Sequence, residues 1–390
     1  MKKHYRIYAI KKCRVCQSRK LEEVFSLGNL YISTFSEKRH SNVPKCPLTL
    51  IFCKNCALLQ LKHNAPQELL YSKFYWYKSG INKTIREDLK EIAKQALKMV
   101  KLERGDIFLD AGANDGTLLK YVPVNYQRIG VEPAKNLQLE LKKNCDEAYQ
   151  CFWEDFGGES IKAKIITAIG MFYDSPDPNK FIGKIKEHLH QKGIFVAQLM
   201  TLKQMIENND VSNICNEHLE YYSYKSLKTL FERNGLEIFK VEKNKINGGS
   251  YRLFARHFKN GSVEHREPYY DIKKLKQFFQ RVKKHRKRTV DFIKKLKSTG
   301  STIYGYGAST KANTILQWYG LDDKLLDGVA DKNPEKFGRY MLTGIPIVSE
   351  KEARNKADYF FILPWGFTKQ FIQRESKWSR QKQGKFIVSI

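Results

Sequence analysis

A multi-domain α/β protein built on a doubly wound parallel sheet is predicted by three features of the sequence. The chain is 390 residues long, more than one hydrophobic core usually serves. Two segments, at 107–119 and 301–314, run from an apolar strand through a glycine turn toward a helix. Short apolar runs alternate with polar amphipathic stretches, the pattern of βαβ units.

The elements follow in order. Ile107–Ala111 reads as a strand, Gly112 to Thr117 as a tight turn, and Leu118-Leu119 as the start of a helix. Arg128-Ile129-Gly130-Val131 is a second strand, and a third short one precedes Trp153-Glu154-Asp155. Ile165–Ala168 and, after a polar helix, Gly193–Ala197 complete the parallel set, and a further strand ends near Ala255. From Tyr270 to Lys297, Ile272, Leu275, Phe279, Val282, Ile293 and Leu296 recur on three- and four-residue steps, interrupted by Arg286 and Thr289. This predicts an amphipathic linker helix packed on a neighbouring domain, its lysines forming a solvated face. Ile303–Tyr306 with Gly305 and Gly307, then Val329–Asp331 and Tyr359–Leu363, predict a second, smaller α/β domain. A diphosphate would suit its first helix N-terminus.

Apolar residues make up 42% of the chain and aromatics 13%, enough for buried cores, and no stretch approaches the roughly 20 apolar residues of a membrane span. Met1 to Arg6 starts positive but leads into no apolar run, so a signal peptide is not expected and a cytoplasmic location is. The net charge of +29 favours phosphorylated or polyanionic partners. Its basic residues are scattered and accompany no nucleic-acid-binding signature. A phosphorylated small molecule is therefore expected as partner, with neither nucleic acid nor membrane, and the chain is expected to be a monomer.

Four of the eight cysteines fall as Cys13-x-x-Cys16 and Cys53-x-x-Cys56. Each pair forms a knuckle that aims two thiolates at one point, and two knuckles complete the tetrahedron of a structural zinc site. Disulfides are disfavoured in a reducing compartment. Cys46, Cys145 and Cys151 lack the spacing and read as packing thiols.

In the first glycine turn, Gly112 and Gly116 let the backbone approach a ligand, while Asp110, Asn114 and Asp115 make it unlike a phosphate cradle. Asp110 suits an ammonium group. Glu132, at the end of the second strand, is placed to accept from both hydroxyls of a ribose. Ribose and aminoacyl group together indicate S-adenosylmethionine and a class I methyltransferase sheet, with Trp153 and Glu154 on the adenine side. An α/β domain with an NAD site, or with no cofactor, is the rival reading of such a turn.

With these residues and the paired cysteines in place, the chain resembles the sugar-nucleotide C-methyltransferases that build branched deoxysugars. The likeness continues in Phe172–Asp177, Asn216–Ser223, Asn247–Arg252, Gly305–Thr314, Asp331–Pro334 and Leu363–Trp365. It implies a zinc-binding domain at 1–70, an S-adenosylmethionine domain at 71–260, a linker helix at 261–300 and a Rossmann-like sugar-nucleotide domain at 301–390. Asp174, Cys215, Asn216, Asn247, Gly248, Gly249, Ser250, Arg252, Gly305, Tyr306, Gly307, Lys311 and Asn313 are the implied substrate contacts. In the family a tyrosine and a histidine stand at positions 215 and 216, and a histidine at 174.

A carbon beside a ketone becomes nucleophilic once it loses a proton. His218 is the candidate base, with Glu217 or Glu220 to orient it. Tyr221, Tyr222, and Tyr75 or Tyr77 of the Phe74–Ser79 segment are candidates to stabilise the enolate oxygen. Two rivals are a methyltransferase of the same build acting on oxygen or nitrogen, and a zinc-containing nucleic-acid-binding protein.

Overall fold

The computed structural model describes residues 7–40, 43–72, 75–158 and 160–388. The readings at Met1–Arg6 and Phe74 lie outside the described residues.

Four sheets organise the described residues. The largest has seven strands in the spatial order Leu236–Asn244, Ser250–His257, Leu189–Met200, Ala163–Ile169, Ile107–Ala111, Gln127–Val131, Glu147–Tyr149. Ser250–His257 runs antiparallel to both of its neighbours, and the remaining pairings are parallel. Numbered by occurrence the order is 3-2-1-4-5-7-6 with strand seven reversed, the class I methyltransferase arrangement that the sequence predicts. The C-terminal strand ends of such a sheet open toward one edge, where ligands bind.

The expected helix after the first glycine turn does not form. Gly112, Asn114 and Gly116 take φ of +73°, +53° and +74°, outside helical geometry, and Pro123 follows soon after. The chain makes only a single 3₁₀ turn at Leu119–Tyr121.

A five-stranded sheet, ordered Ile347–Ser349, Gly328–Asp331, Ile303–Tyr306, Tyr359–Ile362, Lys385–Ile387, is parallel throughout. It forms the second Rossmann-like domain. The helix Ile272–Ser298 buries Leu275, Phe278, Phe279, Val282 and Ile293. Phe279 stacks on Phe25 with ring centroids 4.2 Å apart, so the helix packs on the N-terminal sheet. Lys273, Lys284, Lys287 and Lys294 point to solvent.

The N-terminal sheet holds one surprise. Its order is Glu220–Tyr221, Leu59–Leu61, Lys45–Cys53, Leu21–Tyr31, antiparallel throughout. Its outermost strand therefore comes from the middle of the chain, immediately after His218. Cys13, Cys53 and Cys56 share one apolar cluster with Leu109, Phe172 and Tyr222 of the central sheet.

Candidate active site and zinc centre

The two cysteine knuckles fold alike. Cys13 N–H donates to Ser18 O and Cys53 N–H to Leu58 O, both at 2.9 Å, while Gln17 N–H and Ala57 N–H return to Cys13 O and Cys53 O at 3.0 and 2.9 Å. Gln17 and Ala57 both take φ of +60°, closing each knuckle with the same turn. The result is a cage of four free thiols whose Sγ atoms lie within 4.8 Å of one another. Cys13 and Cys56 are 3.6 Å apart and Cys16 and Cys53 3.5 Å. Zinc with Zn–S bonds of about 2.3 Å separates tetrahedral sulfurs by about 3.8 Å, so the cage fits that ion.

Above the C-terminal ends of the central strands lies a cleft of about 850 Å³. Asp110, Gly112, Asn114, Glu132, Trp153 and Glu154 line it, as the sequence predicts. A Cβ on Gly112 would come within 2.6 Å of Met171, so glycine keeps the floor open. The Asp110 carboxylate accepts from Thr167 Oγ1 at 2.6 Å, and burial pushes its proton affinity up to about 7. Glu132 accepts from Asn114 N–H at 3.0 Å and Ala134 N–H at 2.9 Å, one on each oxygen, and burial likewise raises it to about 7. A carboxylate has about four acceptor sites, so two remain for a diol. Asp174 adds a fourth carboxyl, and no lysine, arginine or histidine is among the described lining residues. Such a cleft suits a cation bearing a ribose, and an anionic dinucleotide does not fit it.

Asp115 and Gly116 are corrected from ligand contacts to framework. Asp115 accepts from Gly80 N–H at 2.7 Å and from Thr117 Oγ1 at 2.6 Å. A Cβ on Gly116 would come within 2.8 Å of the Asn144 side chain, so that glycine serves close packing. Asn114 does two jobs. Besides lining the cleft, its Nδ2 donates to Tyr77 O at 3.1 Å and its Oδ1 accepts from Ser79 N–H at 3.0 Å. Asn136, which sequence reasoning passed over, holds Tyr75 in the same way, accepting from its N–H at 2.9 Å and donating to its carbonyl at 3.1 Å. These side-chain amides lay the 75–80 segment across the cleft.

A second cavity of about 1220 Å³ adjoins the first and reaches the C-terminal domain. Tyr75, Tyr77, Gly170 and Asp174 line both. His218, Asn247, Ser250 and Lys311 line the second. His218 Nδ1 lies 2.8 Å from Asn213 O. A carbonyl only accepts, so Nδ1 carries the proton and Nε2 keeps its lone pair. Burial, and then the charge of Lys311, lower the proton affinity of His218 well below its usual range, so the imidazole is neutral. Lys311 Nζ donates to Asn213 Oδ1 at 2.6 Å.

Several expected contacts stand elsewhere. Tyr222 is fully buried and stacks on Phe172 at 5.3 Å, away from either cavity. Tyr221 donates to His218 O at 3.0 Å and braces the loop. Glu217 is buried behind the cavity wall, and Glu220 is paired with Arg14 at 3.4 Å, so the group orienting His218 is the Asn213 carbonyl. Cys215 and Asn216 are buried behind the wall, not on it. Arg252 is committed to Asp88 at 2.7 Å and Gln95 at 2.8 Å. Gly248 and Gly249 shape the turn beside Asn247, where Gly249 takes φ of +125°. Gly305 and Gly307 admit Leu363 and Pro364 respectively, Tyr306 bonds Glu375 at 2.5 Å, and Asn313 bonds Thr34 O at 2.6 Å and Leu342 N–H at 2.9 Å. Of these last four, Gly305, Tyr306 and Gly307 pack within the C-terminal segment, and Asn313 ties it to Thr34 near the N-terminus. In their place Ser309, Thr310 and Asp210 face the second cavity, and Tyr71 the first. Ser309 and Thr310 adjoin Lys311 in sequence, whereas nothing local marks Asp210.

A zinc binding domain family matches residues 13–71, a methyltransferase domain family residues 81–241, and the C-methyltransferase C-terminal domain family residues 245–390. The C-methyltransferase NovU of Streptomyces niveus is 26% identical over 404 aligned residues, covering 98% of this chain and 96% of that protein. Among solved structures, magnesium protoporphyrin IX methyltransferase of Synechocystis is 11% identical with a TM-score of 0.36, over 44% of this chain and 79% of that one. A methyltransferase of Clostridium acetobutylicum is 11% identical with a TM-score of 0.37, over 45% and 92%.

The protein is an S-adenosylmethionine-dependent methyltransferase with a structural zinc site. The three family matches follow one another along the chain, and the similarity to the C-methyltransferase NovU spans nearly its whole length.

Glu132→Ala is expected to weaken S-adenosylmethionine binding at least about tenfold, since two charge-assisted hydrogen bonds at roughly 1.5–3 kcal/mol each are lost. Calorimetric titration checks this. An unchanged Kd would move the ribose site elsewhere.

Proposed function

We propose that the protein methylates a carbon beside the ketone of a nucleotide-linked keto-deoxysugar, with His218 as the base that forms the enolate. The supporting observation is the His218 imidazole: neutral, fixed by Asn213 O, and set in a cavity that shares a wall with the cofactor cleft. When bound, S-adenosylmethionine supplies an electrophilic methyl on a sulfonium sulfur. Nε2 of His218 takes the proton from the substrate carbon. Tyr75 and Tyr77 line the shared wall, where their hydroxyls can meet the oxygen that gains charge. Lys311, with Ser309 and Thr310 at the start of the Thr310–Tyr319 helix, suits the substrate's diphosphate. An anion bound there also offsets the charge that lowers the basicity of His218.

The division at 1–70, 71–260, 261–300 and 301–390 is kept in this proposal, as is a cytoplasmic monomer acting without nucleic acid. No helix among the described residues is long and apolar enough to cross a membrane.

The test is incubation of the zinc-loaded protein with methyl-deuterated S-adenosylmethionine and a panel of nucleotide-linked keto and non-keto sugars, read by mass spectrometry and NMR. A labelled methyl on a carbon next to the ketone is the expected product. A label on oxygen or nitrogen would replace this reading with that of a heteroatom methyltransferase on the same scaffold.

A further inference from the structure

One carboxyl, expected from the family likeness as a substrate contact, takes no part in the proton transfer from carbon. Asp174 sits on the turn Phe172–Asp174, just past the end of the central strand Ala163–Ile169, and lines both cavities. Only 8% of it is exposed, and its Oδ1 is buried without a hydrogen-bond partner among the described residues. An ionised carboxylate held this way lacks solvation, and the cation that acts on it, Lys311, donates to Asn213 Oδ1 instead.

The carboxyls facing it are Glu217 and Glu220, both themselves raised by burial, and the one cation is Lys311. Tyr71, Tyr75, Tyr173, Tyr221 and Cys215 complete its titratable surroundings, and burial holds each of them above its usual proton affinity, hence neutral. Burial first, then the two glutamates, raise Asp174 well above the carboxylate range, more than a hydrogen bond from Tyr71 and the charge of Lys311 lower it. The side chain is thus a carboxylic acid at neutral pH.

We propose that Asp174 is a catalytic residue that donates the hydrogen bond stabilising the enolate oxygen, in the cavity that His218 also lines. This rests on the carbon-methylation reading. His218 Nε2 takes the proton of the acceptor carbon, the C–H electron pair forms the C=C bond, and the carbonyl π pair moves to oxygen. There it meets the O–H of Asp174. As the carbon bonds to the methyl, the carbonyl re-forms, Asp174 keeps its proton, and the S–C pair leaves with sulfur. The imidazolium then returns its proton to water. A neutral acid suits this better than a carboxylate, which would repel the developing negative charge.

The experiment compares wild type with Asp174→Asn and Asp174→Ala in two assays on the zinc-loaded protein. One is methylation of a nucleotide-linked keto sugar between pH 6 and 10. The other is deuterium exchange at the carbon beside the ketone with S-adenosylhomocysteine bound. Wild-type turnover is expected to fall at alkaline pH as the acid ionises. Asn keeps an N–H donor that does not titrate, so Asp174→Asn should hold within about tenfold of wild type at pH 7 and lose the alkaline fall. Asp174→Ala should lose about 10²–10³ in turnover and exchange, as removal of one oxyanion donor does. A wild-type melting temperature and one equivalent of zinc in both variants show that they are folded. An alkaline fall that persists in Asp174→Asn, or wild-type exchange in Asp174→Ala, overturns the role of Asp174 and leaves carbon methylation standing. A wild type that methylates without ever exchanging that proton overturns both.

Discussion

His218→Ala is expected to cut turnover by about 10²–10⁴-fold while S-adenosylmethionine binds as before, because a positioned general base is worth that much and the imidazole lines the second cavity, not the cofactor cleft. The prediction is sharper in its pH dependence. Burial and Lys311 lower the proton affinity of His218, so its neutral, basic form survives to lower pH than a free imidazole's would. The acidic limb of kcat/KM should therefore lie below pH 6.5, the usual histidine value. Exchange separates chemistry from binding. With a keto sugar and S-adenosylhomocysteine, wild type should wash deuterium into the carbon beside the ketone, and His218→Ala should not. Wild-type exchange in the mutant would remove His218 from the base role.

Why was His218 legible in sequence, and Asn213 not? The histidine stands in a segment, Asn216–Ser223, that carries the family likeness, and imidazole chemistry is local. Its orienting partner is a backbone carbonyl five residues upstream, which has no side-chain signature at all. The same division runs through the cofactor cleft. Asp110, Gly112 and Glu132 follow from strand ends and turn chemistry, whereas Asp115 looks identical in sequence and is spent on Gly80 and Thr117. Glycines misled for a related reason. Gly305 and Gly307 form a turn like that of a nucleotide site, but a Cβ on either would strike Leu363 or Pro364, so packing alone accounts for them. Strands and their order were readable because burial writes itself as apolar runs. Long-range pairing was not: nothing in Glu220-Tyr221 announces that it joins Leu59–Leu61, more than 150 residues earlier.

That pairing makes zinc matter to catalysis. Removing the metal with a strong chelator is expected to abolish turnover and lower the Tm of the whole chain, not only of an N-terminal module. Structural zinc supplies about 10–16 kcal/mol of apparent folding energy in small zinc domains, comparable to the entire stability of about 5–15 kcal/mol of a typical protein. The route to the active site runs through Arg14, which lies between ligands Cys13 and Cys16 in one knuckle. Its guanidinium donates to Leu61 O at 2.6 Å and to Asn64, and lies 3.4 Å from Glu220. Glu220 is 2% exposed and two residues from His218, whose loop is further tied by Leu61 N–H to Leu219 O at 2.9 Å. Opening the knuckle withdraws the guanidinium and leaves the Glu220 carboxyl, which burial already raises well above its usual range, without the cation beside it. Hydrogen exchange should show the amides of 219–221 losing protection together with activity. Arg14→Met separates the steps: it should retain one equivalent of zinc, yet expose the same amides and lower turnover. Chelated protein that keeps wild-type turnover and wild-type protection at 219–221 would show that the zinc domain only decorates the methyltransferase.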